Sequence, residues 1–316
     1  MISMEGIDPK YIKIEVRLFT HRLMGVTHSK SVVVDRSKAV VMGANMMRYH
    51  DRDQLQENDF GYLLMGDVAM GLADDFYYGW LEAKPYAANF ETTGPVAIGH
   101  NLVKFKLPKV VDLWARGRIL EGNIPMIIAS RKEVDSFVIR RGNNPVNKAI
   151  LALIGNAKYR INIITPSLNS KYIVKAIINA LKRGVDVNIL LSRQFQDSIA
   201  KLPFQGGTNY ENASKIYKAT KGAKGKFRLN WFVDFRGRLS KEPSEKDPKS
   251  YTSHTKYLGV DNQITMIGSS NLDTQSWYYS REVNVLIDDH KTTSKWCRSV
   301  FRTDFLRGKP FKLGEK

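Results

Sequence analysis

Two histidines in this chain are followed by the same residue types at the same offsets. His28 precedes Lys30, Asp35 and Asn45, and His254 precedes Lys256, Asp261 and Asn271, at steps of two, seven and seventeen residues in both copies. In an extended strand residues two apart share a face, so each copy presents an imidazole beside a fixed ammonium charge. Lysine is a poor ligand and repels cations, which argues against a metal site. The set suits a phosphodiester. If the copies face each other, an uncharged imidazole can attack phosphorus while a protonated one opposite gives a proton to the leaving oxygen. The lysines offset charge on the equatorial oxygens, and the asparagine amides add donors. A carboxylate on the other ring nitrogen would fix each tautomer. Glu282, twenty-eight residues after His254, is the candidate partner of that histidine, with Asp59 its looser counterpart after His28. One such string arises by accident in a few per cent of chains of this size, but two with asparagine at the same offset are far harder to obtain by chance.

The elements that must position these groups follow from periodicity. Ile12 to Leu18 alternates apolar and polar residues. Val32 to Val34 and Ala39 to Met42 are β-rich runs around a turn at Asp35-Arg-Ser-Lys38. The second copy repeats this, with Tyr257 to Val260, a turn at Asp261-Asn262-Gln263, and Ile264 to Ile267 leading into Gly268-Ser-Ser-Asn271. Two hairpins are therefore expected. Between them Phe137 to Ile139 reads as a strand, Pro145 to Ile154 as a helix, Arg160 to Ile164 as a strand, Lys171 to Leu181 as a helix and Val185 to Leu191 as a strand. That alternation predicts an α/β sheet covered by helices. Residues 201–250 carry twelve Lys/Arg against five acids and read as an extended, basic, partly mobile loop. Only twenty-seven residues precede His28, whereas a β-α-β-α-β stretch precedes His254.

At 316 residues, 43% hydrophobic and 25% charged, the chain can bury one large core or two smaller ones. The single cysteine, Cys297, excludes an intramolecular disulfide. Neither a membrane-spanning apolar run nor a signal pattern is present, so the chain as given reads as soluble or peripheral to a membrane. A net charge of +18 attracts anionic partners such as phospholipid headgroups or nucleic acid. His21, His50, His100 and His290 lack partners at ligand or triad spacing and receive no role. Trp277-Tyr-Tyr279 reads as core rather than as a substrate wall. Tyr217, Phe227, Trp231 and Phe235 could stack on single-stranded nucleic acid, but they equally fit strand packing.

At His254-Thr-Lys256-Tyr-Leu-Gly-Val-Asp261 and Gly268-Ser269-Ser270-Asn271 the chain resembles the phospholipase D superfamily, and Gly268 to Trp277 with Arg281-Glu282 resembles its cardiolipin synthase branch. The resemblance covers about residues 11–90 and 130–290. It implies two pseudo-repeated lobes, each a mixed β-sheet flanked by helices, with the active site at their interface. The lobes would be residues 1–128, truncated at the N-terminus, and 129–316, with the basic insertion 201–250. It also implies a phosphohistidine intermediate with no metal or other cofactor, and a phospholipid substrate with peripheral membrane contact. His28 would be the nucleophile and His254 the general acid. Lys30, Lys256, Asn45 and Asn271 would bind phosphate, and Asp35 and Asp261 would shape the site, with Glu282 orienting. The first copy departs in reading Met42-Gly43-Ala44-Asn45, without the serine. This departure, and the short front before His28, predict a fragment or an internal start, and a first lobe with exposed apolar surface. A metal-independent nuclease and a non-catalytic anionic-lipid-binding protein are the alternatives.

Overall fold

Both motif hairpins form. The computed structural model describes residues 14–17, 21–45, 55–83, 89–92, 123–241 and 250–315. In chain order the strands are β1 Ile14–Arg17, β2 Val26–Thr27, β3 Ser31–Val34, β4 Lys38–Met42, β5 Leu55–Asn58 and β6 Gly61–Met65, followed by helix α1 Asp67–Ala83 and β7 Asn89–Thr92. Next come β8 Met126–Arg131, α2 Pro145–Asn156, β9 Arg160–Thr165, α3 Lys171–Arg183, β10 Asp186–Leu191, α4 Asp197–Ala200, α5 Asn209–Ala219 and β11 Phe227–Trp231. The chain continues with β12 Ser250–Ser253, β13 Tyr257–Val260, β14 Ile264–Gly268, α6 Thr274–Tyr278, β15 Ser280–Asp288, α7 His290–Trp296, α8 Thr303–Arg307 and β16 Lys309–Pro310.

His21–Phe76 and Ile124–Lys316 form one compact unit, which contains both motifs. Met1–Thr20 and Tyr77–Asn123 cluster separately, and there β1 pairs antiparallel with β7. The larger unit is a mixed α/β structure around a nine-stranded sheet ordered β16-β11-β10-β9-β13-β14-β15-β2, with β8 also paired to β15. Strands β9, β10 and β11 are parallel, and β9 and β10 are buried from their second residue onward because both sheet faces are covered.

The covering helices are specified locally. Asn144 caps α2 by accepting from Asn147 N, and Pro145 supplies a preset first-turn φ. Val146, Ile150, Leu153 and Ile154 then bury one stripe of that helix. In α3 the stripe is Ile173, Val174, Ile177, Ala180 and Leu181, and Gly184 ends the helix at φ 105°. These stripes meet Ile161, Ile163, Val187 and Ile189 in one core. On the opposite face of the sheet, Ile164, Leu190, Tyr257 and Ile267 of β9, β10, β13 and β14 pack with Ala39, Val41, Tyr62 and Leu64 of a small sheet ordered β3-β4-β6.

Both motif hairpins reverse in the same way. Asp35 and Arg36 have φ of 51° and 54°, Asp261 and Asn262 have φ of 53° and 54°, and Ser37 N and Gln263 N close the turns onto Val34 O and Val260 O. Aspartate and asparagine tolerate this left-handed region better than most residues, which accounts for an aspartate at the turn in each copy. The hairpins differ in cover. β13 and β14 are almost wholly buried. Val32, Val34, Leu63 and Met65 leave the outer face of the β3-β4-β6 sheet exposed.

Two expectations change. Phe137 to Ile139 is an exposed loop, and the strand in that region is β8, which has a ladder partner in β15 along Glu282 to Ile287. An apolar β-branched run looks the same whether or not a neighbour pairs with it. Residues 201–250 are not one loop. They contain α5, opened by a capping box of Thr208 and Glu211, and the core strand β11 with Leu229 and Trp231 buried. The stretch 242–249 lies outside the described residues, as do Ile12, Leu18, His50 and His100. Among the described residues no helix is long and apolar enough to cross a membrane.

At the end of β14, Gly268 has φ 150°, and a Cβ there would lie 2.4 Å from Val283 O. Gly268→Ala should therefore lower the free energy of unfolding by about 2–3 kcal/mol, read as a reduced denaturation midpoint at unchanged slope.

Candidate active site

The histidines are placed by a reciprocal exchange of short strands. β2, just before His28, runs parallel to the start of β15 at Ser280 and Arg281, and His28 N donates to Arg281 O at 3.0 Å. β12, just before His254, runs parallel to β5, and His254 N donates to Asn58 O at 2.8 Å. The next residue on each partner strand is an acid, Glu282 in one case and Asp59 in the other. Each histidine is thereby set against the carboxylate belonging to the other copy.

The side chains complete the exchange. His28 Nδ1 lies 3.0 and 3.1 Å from the two Glu282 oxygens, and His254 Nδ1 lies 3.0 Å from Asp59 Oδ2. The expected assignment, Glu282 with His254 and Asp59 with His28, is reversed. It followed sequence proximity within each copy, whereas the strand pairing joins residues 254 and 195 positions apart. The two rings face edge to plane with centroids 6.4 Å apart. The His254 side chain is 5% exposed and that of His28 18%, so the pair sits at the base of an opening rather than in a sealed core.

Glu282 is wholly buried, which alone would favour its neutral form. The His28 charge and hydrogen bond, followed by Ser269 and Lys30, outweigh that and hold its pKa below the ordinary value of 4.5. Ser269 Oγ donates to Glu282 Oε2 at 2.5 Å, and Ser276 Oγ donates to Oε1 at 2.8 Å. In the first copy Gly43 stands where Ser269 stands in the second, fifteen residues after the histidine. A Cβ at Gly43 would lie 2.5 Å from Asp59 Oδ1. The missing serine of the first motif is thus the space that the Asp59 carboxylate occupies.

The other motif residues divide into two groups. Lys30 Nζ donates to His28 O at 2.5 Å, and Lys256 Nζ donates to His254 O, so each ammonium lies against its own histidine's backbone. Asn271 is buried, with its amide oxygen unpaired among the described residues, and Asn45 is half-buried just after β4. Asp35 and Asp261 are not with them. Asp261 is at the far end of its hairpin, where its carboxylate accepts from the amides of Lys158, Tyr159 and Arg160 at 2.7–2.8 Å. Asp35 occupies the corresponding exposed turn. Both shape the hairpins and neither reaches the histidine pair.

Sequence reasoning missed Ser276 and Phe195. Ser276 lies on α6, whose cap Asp273 accepts from Ser276 N at 2.7 Å and is pushed toward its neutral form by burial. The Phe195 ring lies 5.9 Å from that of His254. A hydroxyl six residues before a glutamate and a phenylalanine fifty-nine before a histidine carry no spacing signal. Trp277 and Tyr279 are buried as expected, and Tyr172 stacks on Trp277 at 5.3 Å.

Such an arrangement offers two imidazoles, each fixed at Nδ1 by a carboxylate, with cations and amides around them. A family described as cardiolipin synthase, phospholipase D-like domain, matches residues 150–305, which hold the whole second motif. Residues 150–305 thus form a domain of the phospholipase D superfamily. The chain is 30% identical over 146 residues to the minor cardiolipin synthase of Bacillus subtilis, an alignment covering 46% of this chain and 30% of that protein. It is 23% identical over 324 residues to an uncharacterized protein of Helicobacter pylori, covering 91% of this chain and 60% of the relative. The chain therefore spans between 30% and 60% of the length of these two relatives. The crystal structure of phosphatidylserine synthase from Haemophilus influenzae has a similar fold, with a TM-score of 0.57 at 16% identity over 91% of this chain and 63% of that one.

Two outcomes are expected. Because the folded pKa of Glu282 is depressed, its contribution to stability is complete above the unfolded value and is lost as pH falls through the folded one. Glu282→Gln should flatten the acid limb of a stability-against-pH curve measured by denaturant titration. Gly43→Ser should displace Asp59 from His254, read as a change in the His254 imidazole resonances by NMR with an unchanged circular dichroism spectrum.

Proposed function

We propose that this chain is a phospholipase D-type phosphodiesterase that hydrolyses or exchanges phospholipid headgroups through a covalent phosphohistidine. The observation that carries the reading is the reciprocal histidine–carboxylate exchange, which presents two carboxylate-held imidazoles, edge to plane, with ring centroids 6.4 Å apart. With Nδ1 donating to a carboxylate, a neutral imidazole keeps its lone pair on Nε2, and a protonated one keeps a proton there. One of each is what displacement at phosphorus requires.

In the proposed cycle the lone pair on His28 Nε2 forms a bond to phosphorus, and the bond from phosphorus to the leaving alcohol oxygen breaks. The proton from His254 goes to that oxygen. His254, now neutral, then takes a proton from water or an acceptor alcohol. That oxygen attacks phosphorus and releases His28. Lys30, Lys256, Asn45 and Asn271 face the non-bridging oxygens and stabilise the charge that grows there. Glu282 and Asp59 hold the rings and their tautomers. We take residues 1–128 and 129–316 as the two pseudo-repeated lobes, with the site formed where their hairpins exchange partners.

The lipid substrate class follows from what the relatives are called: a cardiolipin synthase in sequence and a phosphatidylserine synthase in fold. The net charge of +18 suits an anionic substrate of either lipid or nucleic-acid type, so a nuclease is the competing reading within the same chemistry. Turnover of phosphatidylglycerol and phosphatidylcholine vesicles and of single-stranded DNA, all with chelator present, distinguishes the two. Headgroup release should persist in chelator and fall by more than about 10³-fold in His28→Ala and in His254→Ala. Brief incubation with labelled lipid should leave acid-labile label on a His28 peptide. Preferred cleavage of DNA would replace the lipid reading. Lipid binding with no release of headgroup would leave the anionic-lipid-binding alternative.

A further inference from the structure

Two loops at the histidine pair carry apolar side chains in solvent. The first, residues 132–141, is tied down at its base. Asp135 accepts from the amides of Arg22, Leu23 and Gly25 at 2.8–2.9 Å, in the turn that leads to His28. Val134 N donates to Tyr279 O at 2.8 Å, and Ser136 Oγ accepts from the amides of Val138 and Ile139. Thus fixed, the loop holds Phe137, Val138 and Ile139 outward, with Val138 88% exposed. The second loop, residues 193–207, starts at Phe195 beside His254 and ends where Gly206 fits against Asn169 O and Thr274, next to the Asp273 cap. It exposes Ile199, Leu202 and Phe204, the last at 79% and with φ 69°, a backbone state that a bulky side chain rarely adopts. Arg140 joins the loops: its guanidinium lies 5.2 Å from the Phe204 ring and 5.6 Å from that of Tyr278, and its Nε donates to Tyr279 OH.

Single exposed apolar residues are ordinary on a soluble surface, but six on two anchored loops around one site are not. Exposed cations outnumber the acids between them, which are Glu133, Asp135 and the half-buried Asp197. Arg22, Arg140, Arg141 and Lys201 are exposed, whereas Glu133 is buried and the Asp135 carboxylate is taken up by backbone amides. Apolar tips interleaved with cations match the boundary between headgroups and acyl chains of an anionic bilayer. There the apolar groups leave water and the cations meet phosphate. Nucleic acid fits less well, because Val138, Ile139, Ile199 and Leu202 offer no ring for a base to stack on.

We propose that loops 132–141 and 193–207 form an interfacial docking surface that seats the histidine pair on an anionic phospholipid membrane. The proposal rests on the phospholipid reading for the identity of the substrate, and adds where and how the lipid surface is met. Insertion of the tips would bring a headgroup phosphate to the opening without lifting the lipid fully from the bilayer.

The test uses the full chain and mixed phosphatidylcholine and phosphatidylglycerol vesicles. The combined variant Phe137→Ser, Val138→Ser, Ile139→Ser and the separate Phe204→Asn, whose side chain suits the left-handed backbone, are compared with Tyr159→Ser, an exposed apolar change at the start of β9. Sedimentation should show at least about tenfold weaker vesicle binding for both loop variants and parental binding for Tyr159→Ser. Turnover of a monomeric short-chain phosphatidylglycerol should stay within about twofold while turnover of vesicles falls. Parental binding by the loop variants, no vesicle binding by the parent, or an equal loss of single-stranded DNA binding would each overturn the docking surface. If the parent releases no headgroup from either lipid form yet sediments through these loops, the docking surface stands and the phosphodiesterase reading fails.

Discussion

The site depends on burying two carboxylates, each opposite a histidine supplied by the other motif copy. Glu282 has no exposed side-chain surface and Asp59 only 7%. Removing one partner of such a pair leaves a buried charge uncompensated, at a cost of about 3–5 kcal/mol. Without the other copy, each would therefore leave a buried acid and a histidine without their partners. The strand exchange enforces the pairing, since the backbone bonds His28 N to Arg281 O and His254 N to Asn58 O place each histidine one residue from the acid it needs. The same constraint explains why residues 21–76 and 124–316 form one compact unit.

Around that exchange the two copies are built unequally. The second hairpin lies in the middle of the nine-stranded sheet, covered by α2 and α3 on one face and by the β3-β4-β6 sheet on the other. The first hairpin is covered on one face only, and Val32, Val34, Leu63 and Met65 remain in solvent. Stability is thus concentrated in residues 124–316, and the first copy draws its order from packing Ala39, Val41, Tyr62 and Leu64 on the larger sheet.

How much of this could be read in advance follows from the range of each interaction. The hairpins, α2, α3, β9 and β10 are specified by side chains a few residues apart, through alternation, helical stripes, caps and turns. They emerged close to their expected limits. The conserved type of turn residue was equally local: aspartate at 35 and 261 answers a backbone requirement at that spot. The pairing of His28 with Glu282 crosses 254 positions and is decided by β2 lying beside β15, which no local pattern encodes. The same reason explains the misplaced strand at Phe137 to Ile139. Those residues have the composition of a strand, but pairing went to β8, and the run became an exposed loop instead.

The difference between Gly43 and Ser269 makes the surroundings of the two carboxylates unequal. The proposed reaction needs one imidazole neutral and one protonated at the same moment. Separation of titratable groups by environment is the general way a site assigns acid and base roles. Here Glu282 shares its negative charge among His28 and the hydroxyls of Ser269 and Ser276. Asp59 accepts from the Phe60 amide at 2.8 Å and packs against a glycine that leaves no room for a serine side chain. His28 and His254 thus face carboxylates with different demands on them. The departure from the motif in the first copy, a glycine in place of a serine, becomes in the structure the feature that makes the two halves of the site unlike.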